Sequence, residues 1–446
     1  MKYHLFVDNF RGFRDTFIPI ADVNFLVGEN STGKTSILGL IKLFSGRQFL
    51  MRSRDSELTD DHVNFGNFSD MVSRHSDRRS YFHIGLIRQE PRVKDREMVV
   101  AFLYTFIEDE GRPRLSGFTF CQRSEKLSIR FRGSSIRFKK ETLPSAPSAQ
   151  EVITTFMPQW KKEHFNTAAS YQTFETANLP GRIPLVFLLG MFAGETADGS
   201  PAKNGKRKEV TLDAPDIPFG DDVVWVAPIR TKPQRTYDEL TSEFSPEGTH
   251  TPFLIRRILR SKKAAVKFKA AMRRIGQSSG LFQKVLIKNY GREVTAPFAV
   301  DIALDDKALN LSTVGYGVSQ SLPILVEVLE RREGTCFAIQ QPEVHLHPRA
   351  QAALGDLFFQ MAVAERKRFL IETHSDFAID RFRMNYRTAK SDKPDSQLLF
   401  FERRNKHNVV TPLTIDEFGQ LPMEQPASYR DFFVREEIRL LSGETT

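Results

Sequence analysis

Apolar positions along this 446-residue chain change their spacing several times, and each change predicts an element. Val23-Asn24-Phe25-Leu26-Val27 is a short apolar run, the mark of a buried strand, whereas Ser36 to Phe44 carries apolar residues at helical spacing. The segment from Tyr3 to Phe44 reads as short strands and polar turns closed by that helix, and no leader domain is expected before it. Tyr81 to Ile87, Met98 to Ile107 and Leu127 to Phe131 are apolar or alternating runs between charged, Gly- and Pro-bearing turns, which predicts an antiparallel β layer over 81–140. A mostly helical inserted region is expected over 141–300, with an exposed basic loop from Glu195 to Asp213 and a basic helical stretch from Phe253 to Arg274. Core-like patterns return over 301–446: Val318 to Leu329 and Ala350 to Phe359 read as helices, and Phe298 to Leu304, Cys336 to Ile339 and Phe369 to Ile371 as strands. Alternation of strands and helices at both ends, in 1–80 and 301–446, implies one α/β sheet assembled from distant segments.

The residues between the first buried strand and its helix carry the clearest chemistry. Gly28-Glu29-Asn30-Ser31-Thr32-Gly33-Lys34-Thr35, followed by Ser36, satisfies G-x-x-x-x-G-K-[ST] in a strand-loop-helix setting. Such a loop turns successive N–H groups inward around phosphate oxygens, its lysine reaches the β and γ phosphates, and its Thr35 hydroxyl is placed to ligate Mg²⁺. The loop reads phosphates and leaves adenine and guanine undistinguished.

Three further runs end apolar segments in polar groups. Cys336 to Pro348 reads CFAIQQPEVHLHP, and a P-loop ATPase should present there an acid for Mg²⁺ and then a carboxylate to activate water; Gln340 and Gln341 hold those positions. Glu343 is the nearest surviving carboxylate and a candidate for activating water. Phe369 to Asp376 presents His374 at a strand end, and Val314 to Ser321 is a glycine-bearing turn into a helix, with Gly317, Ser319 and Gln320 as candidate phosphate contacts. His345 and His347 read either as a structural turn or as a metal pair.

Composition narrows the partners. The 64 Lys+Arg against 55 Asp+Glu leave a net charge of +9, which suits an acidic partner such as nucleic acid without requiring one. The basic stretch offers Arg256, Arg257, Arg260, Lys262, Lys263, Lys267, Lys269, Arg273 and Arg274, either for a phosphate backbone or as a solvated helix face. Cys121 and Cys336 sit in no metal-binding pattern, which points away from a disulfide framework or zinc site and suits a reducing cytoplasm. No signal peptide or membrane-length apolar run is present, so no membrane partner is expected.

Together with Asn9-Phe10-Arg11-Gly12-Phe13-Arg14 and the stretch Ala227 to Tyr237, these four segments resemble the ABC-type ATPases of the RecF, SMC and OLD group, particularly OLD-like AAA proteins of bacteria. The resemblance implies an ABC-type P-loop ATPase head: a mixed sheet core, an antiparallel β layer and an inserted helical, basic region. It implies ATP as the nucleotide and Mg²⁺ held by Thr35 and position 340. Gly28 to Thr35 would be Walker A, Ile339 to Glu343 Walker B, Val314 to Gln320 the signature and His374 the switch histidine. In this group a signature caps the nucleotide of another protomer, so an ATP-sandwiched homodimer or a higher oligomer is implied, with Ser319 acting in trans. Neutral Gln340 anchors hydrated Mg²⁺ less well than a carboxylate, so competent ATP binding with slow or blocked hydrolysis is expected. OLD nucleases append a metal-dependent nuclease domain, but about 70 residues follow Asp376, fewer than a usual domain needs. The resemblance therefore extends to ATPase subunits of Septu-type and retron-associated anti-phage systems, which work beside a separate HNH nuclease and could engage DNA or RNA-DNA. The alternative is a RecF-like DNA-repair ATPase acting on DNA directly.

Overall fold

The computed structural model describes residues 2–77, 79–93, 96–166, 170–175, 183–193, 223–238, 243–305, 307–389, 392–429, 438, 439 and 441; the expected basic loop from Glu195 to Asp213 lies outside them. The chain forms two compact units, residues 1–21, 29–222 and 401–410 in the first, and 22–28, 223–400 and 411–446 in the second. This division cuts across the 141–300 segment expected as one inserted region.

The first unit is built on an eight-stranded antiparallel sheet in the order Thr16–Ile20, Lys2–Asp8, Tyr81–Val93, Arg96–Asp109, Arg112–Gln122, Glu125–Arg132, Ser135–Thr142, Gln172–Glu175. It takes in the expected β layer and extends it on both sides. Phe6, Ile87, Val99, Ala101 and Leu103 bury one face against Val152, Met157 and Trp160. The helix Lys34–Phe44 follows the glycine-bearing loop and buries Ile37, Leu38, Leu40, Ile41, Leu43 and Phe44. Phe44 packs on Phe49 and Tyr104 at ring separations of 4.2 and 5.5 Å, which fixes the far end of that helix.

In the second unit, four parallel strands lie in the order Val224–Val226, Cys336–Gln340, Arg368–Glu372, Val23–Gly28, within a six-stranded sheet completed by Ser396–Arg404 and His407–Thr414. Segments more than 300 positions apart in sequence thus pair directly, Phe25 with Ile371 and Leu26 with Glu372. Buried parallel strands need apolar residues on both faces, and Phe25, Phe337, Ile339, Phe369 and Ile371 supply them. Asn24 is the polar exception: its Nδ2 donates to the Phe369 carbonyl at 3.3 Å and its Oδ1 accepts from Gln397 Nε2 at 2.7 Å. A smaller antiparallel sheet joins Lys284–Asn289, Phe298–Leu304 and Lys307–Asn310.

The basic stretch is two helices, Thr251–Arg260 and Lys262–Ser279, broken where Ser261 caps the second by accepting from the Ala264 N–H. Arg256 leaves the expected basic face: it is 6% exposed, lies over the Phe298 ring at 4.5 Å and donates to Asn289 Oδ1 at 3.1 Å. Arg257, Arg260, Lys262, Lys263, Lys267, Lys269, Arg273 and Arg274 are exposed. Both cysteines are buried and unpaired. Among the described residues no helix is long and apolar enough to cross a membrane.

Candidate functional site

In the first unit the phosphate-loop residues are held from behind by two distant side chains. Gly33 adopts φ 97°, and a Cβ there would lie 2.5 Å from Phe13 Cζ and 3.2 Å from Asn408 Nδ2, so only glycine fits. Asn408 is itself anchored, its Nδ2 donating to the Arg11 carbonyl at 2.8 Å and its N–H to the Gly12 carbonyl at 2.8 Å. Arg403 donates to the Ser31 carbonyl at 2.8 Å, steadying a residue at φ 61°. Thr32 Oγ and Lys34 Nζ both donate to the Glu29 carbonyl at 2.7 Å, which closes the loop on itself. Arg11 NH1 donates to Ser36 Oγ at 3.2 Å and NH2 to the Phe65 carbonyl at 2.8 Å, so the early Asn9 to Arg14 motif serves as a brace for this helix.

These observations fit a nucleotide phosphate. Gly33 caps the helix Lys34–Phe44 without a side-chain hydrogen bond, and no acid stands in the first turn, so nothing of opposite sign competes at the positive end of the dipole. Lys34 is 4% exposed, with its ammonium held over the loop, while Asn30, Ser31 and Thr35 are exposed around it.

The second unit brings together Gln340, Gln341, Glu343 and His374. Gln340 ends its strand, 7% exposed, opposite Glu372, and its Nε2 lies 3.4 Å from Glu372 Oε2. Gln341 turns the chain at φ 42° and donates its N–H to the Glu372 carbonyl at 2.7 Å. Glu343 accepts from the Thr373 hydroxyl at 2.8 Å and from the His374 N–H at 2.7 Å, one bond to each carboxylate oxygen. It is therefore tied to the segment bearing the exposed His374. Gln340 presents a neutral amide at the end of its strand, where a carboxylate would anchor hydrated Mg²⁺ more strongly.

Sequence reasoning passed over Arg230, which links these residues to the predicted signature. Gln320 brackets its backbone, Oε1 accepting from the Arg230 N–H at 3.2 Å and Nε2 donating to the Arg230 carbonyl at 3.3 Å. The guanidinium donates through NH2 to the carbonyls of Gln340 at 3.1 Å and Gln341 at 3.4 Å. Burial pushes its pKa down to about 10 against the opposing pull of Glu343, so it stays charged at neutral pH. The quoted stretch Ala227 to Tyr237 contained it, but only the fold shows what it touches. Glu372, Phe13 and Asn408 were equally unmarked.

The signature segment opens the helix Tyr316–Glu330, with Gly315 as its N-cap. A Cβ on Gly317 would come 3.0 Å from the His345 carbonyl, and Ser319 Oγ donates to the Tyr316 carbonyl at 3.0 Å. Pro323 sits inside this helix, so position 323 has no N–H to give the Ser319 carbonyl. His347 is the N-cap of the helix Pro348–Glu365, its Nδ1 accepting from the Arg349 N–H at 3.3 Å, and His345 packs beside Tyr316 at 5.8 Å. No group of metal-binding side chains occurs among the described residues, and His347 acts in helix capping.

A strand-loop-helix phosphate loop on an α/β core defines a P-loop nucleotide-binding protein. The chain belongs to the AAA ATPase domain family, whose model matches residues 1–176 and 229–379. The SMC head domain from Thermotoga maritima is similar at 12% identity and a TM-score of 0.39, covering 92% of this chain and 98% of that one. The recombination mediator RecF is similar at 13% identity and a TM-score of 0.30, covering 91% and 97%. No curated protein matches the chain.

Proposed function

We propose that this chain binds ATP at Asn30 to Ser36, dimerises on it through the signature segment of Gly317, Ser319 and Gln320, and hydrolyses it slowly. The observation that carries this reading is the closed phosphate loop, with Lys34 buried over it and an uncapped helix end behind it. Slow turnover follows from the neutral Gln340 at the Mg²⁺ position and from Glu343, whose two oxygens are engaged by Thr373 and His374. Bound Mg²⁺ would supply charge neutralisation for the phosphates, and the Thr35 hydroxyl is the loop group that would hold it. The resemblance to Septu-type and retron-associated ATPases supports a regulatory subunit that restrains or licenses a separate nuclease in anti-phage defence. Light scattering with and without ATP tests the core of the reading. Ser319→Arg should abolish ATP-dependent dimerisation while leaving ATP binding intact, and nucleotide-independent assembly would overturn the proposal.

A second reading, an ATPase acting on DNA directly in the manner of RecF, is favoured by one observation. Eight cations from Arg257 to Arg274 remain exposed on two consecutive helices, of which Lys267 contacts Glu365 at 3.2 Å. Salt-sensitive DNA binding by the chain alone would support it.

A further inference from the structure

The strand Lys284–Asn289 lies at an edge of the small three-stranded sheet in the second unit. Its residues alternate: Val285 is buried and Ile287 packs against the core, while Lys284, Leu286 and Lys288 are exposed. Two positions on, Tyr290 opens the hairpin turn at 52% exposure, and Val294 further round it is 64% exposed. Lys288 Nζ stands 5.5 Å from the centre of the Tyr290 ring. Lys284, Lys288 and Arg292 form no ion pair among the described residues. Asp301, opposite Leu286 on the neighbouring strand, instead accepts from Asn310 Nδ2 at 3.5 Å.

The turn that carries this ring is held firmly. Tyr290 donates its N–H to the Pro297 carbonyl at 2.9 Å, and Ala296 to the Glu293 carbonyl at 3.3 Å. From the basic helix Thr251–Arg260, the buried Arg256 donates to Asn289 Oδ1 at 3.1 Å and to the Glu293 carbonyl at 3.3 Å, and Arg260 reaches the same carbonyl at 3.5 Å. Two guanidiniums thus brace an aromatic ring that adds little to the core. A fixed, half-exposed ring beside unpaired cations suits a ligand that carries negative charge and a flat face together.

We propose that Tyr290, Lys284, Lys288 and Arg292 form a platform for single-stranded nucleic acid, a base stacking on the Tyr290 ring while the cations take neighbouring phosphates. The unpaired charge selects an acidic partner, and the ring selects a single strand, because the bases of a duplex are already stacked on one another. Alternate residues of a strand stand about 7 Å apart, so Lys284 and Lys288 set two cations about 13 Å apart along one line. The proposal rests on the reading of the chain as a protein that engages DNA directly, and it adds a strand preference that the basic helices alone do not carry.

Fluorescence anisotropy of the full chain with a labelled oligothymidylate of about 20 nucleotides, and with a duplex of the same length, tests the platform. Tyr290→Ala should weaken oligothymidylate binding about tenfold, the effect of one lost base–aromatic stack, and leave duplex affinity within about twofold. Tyr290→Phe keeps the ring and should bind as the wild type does. Lys288→Gln should reduce the salt slope on the single strand by about 0.7, the value of one phosphate contact. Unchanged binding in Tyr290→Ala, equal losses on both nucleic acids, Tyr290→Phe as weak as Tyr290→Ala, or an unchanged slope in Lys288→Gln would overturn the proposal and leave the lysines as guards of an edge strand against pairing with another chain. A wild type that binds duplex alone overturns only the platform; one that binds neither nucleic acid at low salt overturns the direct-DNA reading with it.

Discussion

Gln340 and Glu372 face one another across adjacent parallel strands, each 7% exposed, with Nε2 of the first 3.4 Å from Oε2 of the second. A neutral residue at 340 therefore spares the sheet a buried pair of like charges. Gln340→Glu should restore an acid for Mg²⁺ and raise ATP turnover, at a cost visible without metal. In EDTA at neutral pH the variant should be destabilised by about 1–3 kcal/mol, and Mg²⁺ should recover part of the loss. Thermal melts with EDTA or Mg²⁺, beside a turnover assay, check this. Ordinary ATPase rates in the wild type with no gain in the variant would contradict the expected slow hydrolysis.

Lys34→Ala removes the only ammonium of the phosphate loop. ATP affinity should fall on the order of tenfold to a hundredfold, corresponding to one or two charge-assisted hydrogen bonds, as read by calorimetry.

Gly33→Ala should act through backbone rather than charge. With φ at 97° and Phe13 Cζ 2.5 Å from the new Cβ, the loop must move or the buried ring must. A destabilisation of about 1–3 kcal/mol is expected, together with weakened ATP binding; an unchanged melting temperature would show that Phe13 yields freely.

Stability should also depend on a buried pair in the second unit. His250 Nε2 lies 2.6 Å from Glu327 Oε1, and Arg331 donates to Glu327 Oε2 at 2.6 Å. Burial, the largest influence on Glu327, pushes its pKa up, but the hydrogen bond to His250 and the charge of Arg331 outweigh it and leave the pKa below the usual 4.5. A depressed folded pKa means that stability from this carboxylate is complete above the ordinary carboxylate range and lost as the pH falls through the folded value. Melts from pH 7 to 3 should show an acid-limb loss that Glu327→Gln reduces, at the expense of lower stability at neutral pH.

Charge reversal at Lys269, Arg273 and Arg274, all exposed, tests the basic helices. If they track a phosphate backbone, DNA affinity should drop and the salt slope should shrink by roughly one per lost contact. Binding that is unaffected would leave these residues as a solvated face.

Much of this molecule could be read from local pattern. The phosphate loop, its strand and its helix follow from contiguous residues, as do the strand ending at Gln340 and the helix opening at Tyr316. What escaped the sequence is nonlocal. Asn408 supports Gly33 from 375 positions away, and no spacing rule links them. Arg256 fits a basic helical face by periodicity, yet the Phe298 ring and Asn289 draw it inward. Arg230 lies in the recognisable stretch Ala227 to Tyr237, yet its contacts with Gln320, Gln340 and Gln341 come from segments about 90 and 110 positions away. Ser261 broke a helix that apolar spacing alone carried through.

Pro323 gives the signature helix a mechanical consequence. Without an N–H at 323, the turn carrying Gly317 and Ser319 lacks one of the rungs that would lock it to Ile324–Glu330, so opening that turn breaks fewer bonds than opening the remainder. The helix therefore has one backbone rung fewer between the turn bearing Ser319 and the turn that follows it, and its leading turn relies on side-chain bonds such as those of Gln320 to Arg230.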